Sequence, residues 1–200
     1  ASEIYGRINY SVVQTNTTKT IIDTIEGKIG TDISYISAEE VLAHDGSRWG
    51  VDLTLPVDWS CLNNSNRSAG YRINAFIFLD DVYLKYVSSK ENKYKELILK
   101  YIVDWCEQNK DLFGENEWAS HEDAMARRVY RMSYFYYIFK EDFGLDERIL
   151  IEDSLKKQAE CLYSEDYYIK NHNYGMNQDM GLLVYAILLE DEKEKIGRAH

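Results

Sequence analysis

A single proline, Pro56, stands in 200 residues, and no feature constrains the fold more. Proline is the commonest breaker of helix interiors. After about residue 66 nothing of that kind interrupts the chain, and apolar residues there recur with a helical period. The clearest stripe runs from about Asn92 to Asn109. Tyr94, Leu97, Ile98, Tyr101, Ile102 and Trp105 fall at i, i+3, i+4, i+7 spacing, while Lys93, Lys95, Glu96, Lys100 and Glu107 take the other faces. An all-α fold follows.

Around this stripe the pattern predicts further helices. Arg67 to Ser88 carries Tyr71, Ile73, Ala75, Phe76, Leu79, Val82, Tyr83 and Tyr86, a broad apolar surface expected on one helix wedged between neighbours. Trp118 is expected to begin the next helix, with Ser120 and Asp123 as a capping box and Met125, Val129, Met132, Tyr136 and Phe139 on its inner side until Phe143-Gly144. Asp146 is a candidate cap for a helix burying Ile151, Leu155, Ala159 and Leu162. Ser164 to Tyr174 reads as a polar, aromatic loop. Met176, Met180, Leu183, Val184, Ile187 and Leu188 then resume a stripe up to the charged tail Asp191 to Lys195. Residues 1–60 are expected to form an irregular arm with a short helix near Thr18 to Glu26 and an extended piece at Val51 to Val57. Residues 61–200 form the helical domain, a closed or curled array without a fixed repeat.

Composition excludes several functions. Lys plus Arg number 23 against 34 Asp plus Glu, a net charge of −11, so general binding to nucleic acid or an anionic membrane is disfavoured. No run approaches the roughly 18 apolar residues a membrane span needs. The start at Ala1 lacks the pattern of a signal peptide, which is therefore absent or removed. Cys61, Cys106 and Cys161 are odd in number and far apart, as expected of free thiols rather than a disulfide frame or zinc site. Asn16, Asn63 and Asn66 open short glycan-acceptor triplets. There is no HExxH, GxSxG, phosphate loop or dinucleotide fingerprint, and no particular carboxylate pair stands out. No cofactor and no metal are expected.

Two segments concentrate functional side chains. Tyr168 to Gly175 contains Asn171, His172, Asn173 and Tyr174 in a loop before a helix, where an amide beside an imidazole supplies a hydrogen-bond donor and a proton carrier. On the alternative reading Asn171 and Asn173 cap that helix and His172 is an ordinary polar residue. In the second segment, Trp118 to Arg131, His121, Met125 and Arg128 share a helix face, so His121 and Arg128 can serve one pocket. Alternatively Glu122 and Asp123 suit the helix N-terminus and the arginines pair with acids.

The order Leu55-Pro56-Val57-Asp58-Trp59, Asn66-Arg67, a long aromatic helix, Ile102-Val103-Asp104-Trp105, Trp118 to Arg128, and finally Asn171-His172 resembles the N-terminal catalytic domain of heparinase II/III-like polysaccharide lyases, which include alginate lyases. The resemblance spans about Leu55 to Leu189. It implies an incomplete (α/α) toroid, of which this chain would be the first part, followed in a longer chain by antiparallel β-sandwich domains. It also implies β-elimination on an acidic, uronate-containing polysaccharide and a periplasmic or secreted location, with the cytoplasm as the alternative. Asn171 would donate to the uronate carboxylate, and His172 would stabilise it or act as base. His121 and Arg128 would position the acidic substrate, and Trp118 or Tyr174 would stack on sugar rings. A catalytic Tyr several tens of residues after the pair, and a later His and Tyr, would lie beyond His200; Tyr185 is not nominated. A non-catalytic glycan-binding or interaction domain is the alternative function.

Overall fold

The computed structural model describes residues 17–31, 35–60 and 66–190. Cys61, Asn16, the acceptor triplet beginning at Asn63, and the charged tail lie outside them. Within the described residues the chain is mostly helix joined by turns and loops, and its strands are one antiparallel pair of two residues each, β1 (Asp45–Gly46) and β2 (Val51–Asp52), with Asp45 opposite Asp52. The helices are α1 (Thr17–Lys28), α2 (Ala38–Leu42), α3 (Arg67–Asn74), α4 (Phe78–Ser89), α5 (Asn92–Gln108), α6 (Glu122–Phe139), α7 (Leu145–Tyr163) and α8 (Asn173–Tyr185). A 3₁₀ turn at Lys140–Asp142 follows α6, and a π-helical turn, Ala186–Glu190, follows α8.

Helix α6 is the centre of the fold. It packs against α3, α5, α7 and α8, and buries Met125, Val129, Met132, Tyr136 and Phe139 as its stripe requires. The stripe of α5 is likewise buried from Tyr94 to Trp105. Apolar residues before position 60, among them Ile25, Ile36, Val41, Leu53, Val57 and Trp59, join the same core as the later helices.

The helix expected over Arg67 to Ser88 is two helices. Phe76 turns left-handed, at φ +59°, and the amides of Phe76 and Ile77 donate to the carbonyls of Ile73 and Arg72. That is a Schellman ending with phenylalanine in the place usually given to glycine. The left-handed conformation costs about 1–2 kcal/mol, which is offset because Phe76 is buried against Trp59, Phe78 and Trp105.

Other boundaries also move. Helix α6 begins at Glu122 with His121 as its cap, not at Trp118, and the Ser120 hydroxyl donates to the Glu117 carbonyl instead of capping. Helix α7 is capped at Gly144, whose amide donates to Glu147 at 2.8 Å; Asp146 sits inside the first turn. Met176, expected in the core, is 73% exposed. The inner side of α8 is made by Gly175, Gln178, Gly181, Leu182, Tyr185 and, from the expected stripe, Val184. Small residues are needed there because α8 lies close on α6: a Cβ at Gly181 would meet the Ala126 carbonyl oxygen at 2.7 Å.

Candidate functional site

Helices α6 and α8 both begin with a histidine cap. Nδ1 of His121 accepts from the Ala124 amide at 3.5 Å, and Nδ1 of His172 accepts from the Tyr174 amide at 3.2 Å. An imidazole that accepts through Nδ1 in its neutral form carries its proton on Nε2. Each histidine thus presents an Nε2–H donor at the start of a helix, where unpaired amides and the dipole favour negative charge.

The two starts meet on Tyr174. Its ring lies 4.4 Å from that of His172 and 6.0 Å from that of His121. His121 in turn lies 5.1 Å from Trp118 and 6.1 Å from Tyr71 of α3. Four of the six residues nominated from the sequence, Trp118, His121, His172 and Tyr174, therefore form one cluster of rings. Trp118 reaches its place because α3 offers Gly70 beneath it; a Cβ there would overlap the indole nitrogen. Asn171 stands beside the cluster, exposed and left-handed at φ +59°, a conformation asparagine tolerates better than most residues.

The loop that carries Asn171 and His172 is tied down from below. Gln178, fully buried, accepts from the Ile169 amide at 3.0 Å and donates to the Tyr167 carbonyl at 3.1 Å. Tyr167 donates to the Ser120 carbonyl, linking this loop to the Trp118 turn, and Tyr168 donates to Asp179 at 2.9 Å. A Cβ at Gly175 would overlap the Ile169 carbonyl.

Arg128 corrects the expectation. It does not share a pocket with His121 but is wholly buried, donating to Gln158 (2.7 Å), the Asn74 carbonyl (2.9 Å) and the Ala119 carbonyl (2.5 Å), with its guanidinium 4.0 Å over Trp105. Periodicity assigned it to a face; that face turns inward. It supports the Trp118 turn from behind and cannot touch a solute.

Two groups at the site escaped the sequence. Tyr71 donates to Asp123 at 2.6 Å, and Asp123, 4% exposed, also accepts from Asn177 of α8 (2.5 Å) and from Arg127 Nε (3.3 Å). This carboxylate binds α3, α6 and α8 together beneath the rings. Phenol and carboxylate are 52 positions apart, and no local spacing announces them.

Burial holds the His121 pKa below its ordinary 6.5, against the opposing pull of Glu122 and Asp123. The neutral imidazole is the form that can cap. As pH falls below about 6.5 the unfolded chain takes up a proton more readily than the folded one, so stability is full above that pH and declines as pH drops through the folded pKa. His121→Asn keeps a cap without titrating. Unfolding free energies of parent and variant between about pH 7 and 5 should diverge downwards in the parent alone; parallel curves would exclude His121 as the source.

Cysteine chemistry is not offered here. Burial pushes the Cys106 thiol up to about 12 and raises that of Cys161, so both stay protonated at neutral pH, and both are free. Among the described residues no group of three or more His, Cys, Asp or Glu is placed to hold a metal ion, and no helix is long and apolar enough to cross a membrane. A cavity of about 550 Å³ between Pro56, α5 and the start of α7 shares no residue with the ring cluster. Its walls bring Glu96, Asp104, Glu107, Asp142 and Glu147 against Lys100, so it would repel an anionic polymer. The cluster is therefore the better candidate. No protein-family model, curated protein or solved structure matches the chain.

Proposed function

We propose that the protein is a polysaccharide lyase acting by β-elimination on an acidic, uronate-containing glycan, with the described helices forming the first part of an (α/α) toroid. The observation that carries this reading is the meeting of two histidine-capped helix starts on one set of rings, beside Asn171. Sugars lie flat on aromatic faces through their C–H groups, and the helix starts favour a carboxylate next to them. Trp118 and Tyr174 take the stacking role, His121 and His172 the polar one.

In β-elimination the C5–H bond breaks, its electron pair forms the C4–C5 double bond, and the C4–O4 bond breaks with its pair leaving on oxygen. The C5 proton is weakly acidic until the adjacent carboxylate charge is stabilised. Asn171 supplies an amide N–H for this, and His172 its Nε2–H. With Nδ1 of His172 accepting from the Tyr174 amide, the donor role is the one assigned to it in this reading. The base and the acid for O4 then come from other groups.

The test is ultraviolet absorbance of the unsaturated uronate, with the protein that carries this chain and a panel of uronate polymers. Product is expected on at least one polymer, and His172→Ala should slow it by about 10²–10³, the usual loss for one donor to a developing oxyanion. Absence of product on every polymer would end the lyase reading. A glycan-binding role without catalysis is the second reading, favoured by the ring cluster itself, and would show as saturable binding without product.

A further inference from the structure

Burial of Arg128 removes the cation that an acidic substrate was expected to meet at the rings, and α3 supplies another. Arg67 opens this helix. Arg67, Gly70, Tyr71 and Asn74 fall at i, i+3, i+4 and i+7, along one face. The last three all meet the site. Gly70 underlies Trp118, the Tyr71 ring lies 6.1 Å from that of His121, and the Asn74 carbonyl accepts from Arg128 behind the Trp118 turn. One turn before Tyr71, the same face brings Arg67 to the edge of the cluster. His121 feels it there: burial first, and then the positive charge of Arg67, lower the imidazole pKa.

Arg67 is exposed, and among the described residues its guanidinium forms no hydrogen bond or ion pair. The other arginines near the cluster, Arg127, Arg128 and Arg131, are all held by acceptors. The acids beside His121 do not claim Arg67 either. Asp123 accepts from Tyr71, Asn177 and Arg127, and Glu122 makes no ion pair with Arg67. The first turn of α3 holds no acid, so the cation at this helix start opposes the dipole, at about 0.3–1 kcal/mol. No ion pair among the described residues offsets that cost.

Along the ring contacts the order is His172, Tyr174, His121, then Trp118 and Tyr71. Arg67 joins this row beside Tyr71, whereas His172, with Asn171 before it in the chain, is joined to it through Tyr174. A glycan laid along the rings would thus meet the two groups with different sugars. Resting on the glycan reading above, we propose that Arg67 is a specificity-determining residue that forks onto the carboxylate of a second uronate, while Asn171 and His172 hold the one that reacts. A guanidinium suits this task because its parallel N–H groups match the two oxygens of a carboxylate.

Calorimetric titration with a uronate hexasaccharide and its carboxyl-reduced form tests this, in the protein that carries this chain with His172→Ala, which slows turnover. Adding Arg67→Gln is expected to weaken binding of the hexasaccharide about tenfold, as for loss of one charge-assisted hydrogen bond, and to leave the reduced form unaffected. The remaining affinity should fall less steeply with salt. Arg67→Lys should recover part of the loss, since an ammonium does not match both oxygens. Because the side chain is exposed and opposes the dipole, Arg67→Gln should unfold at no lower urea concentration than its parent, so weaker binding does not reflect a damaged fold. If Arg67→Gln binds the hexasaccharide as its parent does, while Tyr174→Ala weakens it, the Arg67 assignment is overturned and the glycan reading stands. If the parent binds neither saccharide, both fall.

Discussion

Arg128→Met is expected to lower the unfolding free energy by about 3–5 kcal/mol, the scale seen when a buried charged network loses one member. Arg128 is a buried cation whose hydrogen-bond acceptors are uncharged: one amide oxygen, two backbone carbonyls and the face of Trp105. Burial lowers its pKa to about 9, so it remains charged at neutral pH. Methionine approximates the stem but leaves three acceptors without donors, each at about 1–3 kcal/mol. Those acceptors belong to the end of α3, the Trp118 turn and α7, so three elements loosen together. Arg128→Lys should recover little, since an ammonium cannot spread to three acceptors as a planar fork does. Urea unfolding with an unchanged m-value measures the effect. A loss under 1 kcal/mol would mean that water or rearrangement satisfies the carbonyls and that the turn stands without the arginine.

That result also bears on why the site was half legible in the sequence. Trp118, His121, His172 and Tyr174 could be nominated because each stands in a dense run of functional side chains at a helix start, and helix starts are local events. Arg128 was misassigned for a related reason. Spacing places a residue on a face but not the face on the core, and an arginine facing inward requires acceptors from α3, α7 and a turn that only the tertiary fold supplies. Tyr71 and Asp123 stayed hidden for the same cause.

The fold divides similarly. The α5 stripe needs only its own seventeen residues. The break at Phe76 was illegible because its usual mark is glycine, and here packing against three aromatic rings holds a phenylalanine left-handed. In α8 the apolar count pointed to Met176, whereas the close approach of α6 selects Gly181 and the loop selects Gln178. Hydrophobicity marks a core where helices stand a side chain apart, and fails where backbones nearly touch.

Asp80→Asn is expected to cost a similar 3–5 kcal/mol, because it takes from the buried Arg131 guanidinium the carboxylate onto which it forks. Asp80 is 0% exposed and Arg131 2%; the two-pronged geometry ties α4 to α6, and Asp80 also accepts from the Gly30 amide at 3.4 Å, just past α1. Removing both charges tells attraction from packing. In Asp80→Leu with Arg131→Met no ion is left to desolvate, so the double variant should be clearly more stable than the sum of the single losses predicts, with a coupling energy of about 2 kcal/mol or more. Additive losses would show that each side chain acts through packing alone. Any looseness should appear first at the end of α1, where Gly30 must share the single remaining amide oxygen with Arg131. Hydrogen exchange at the Gly30 amide is therefore expected to quicken in Asp80→Asn before that of the α6 core, and Lys28, two residues earlier, would be displaced with it.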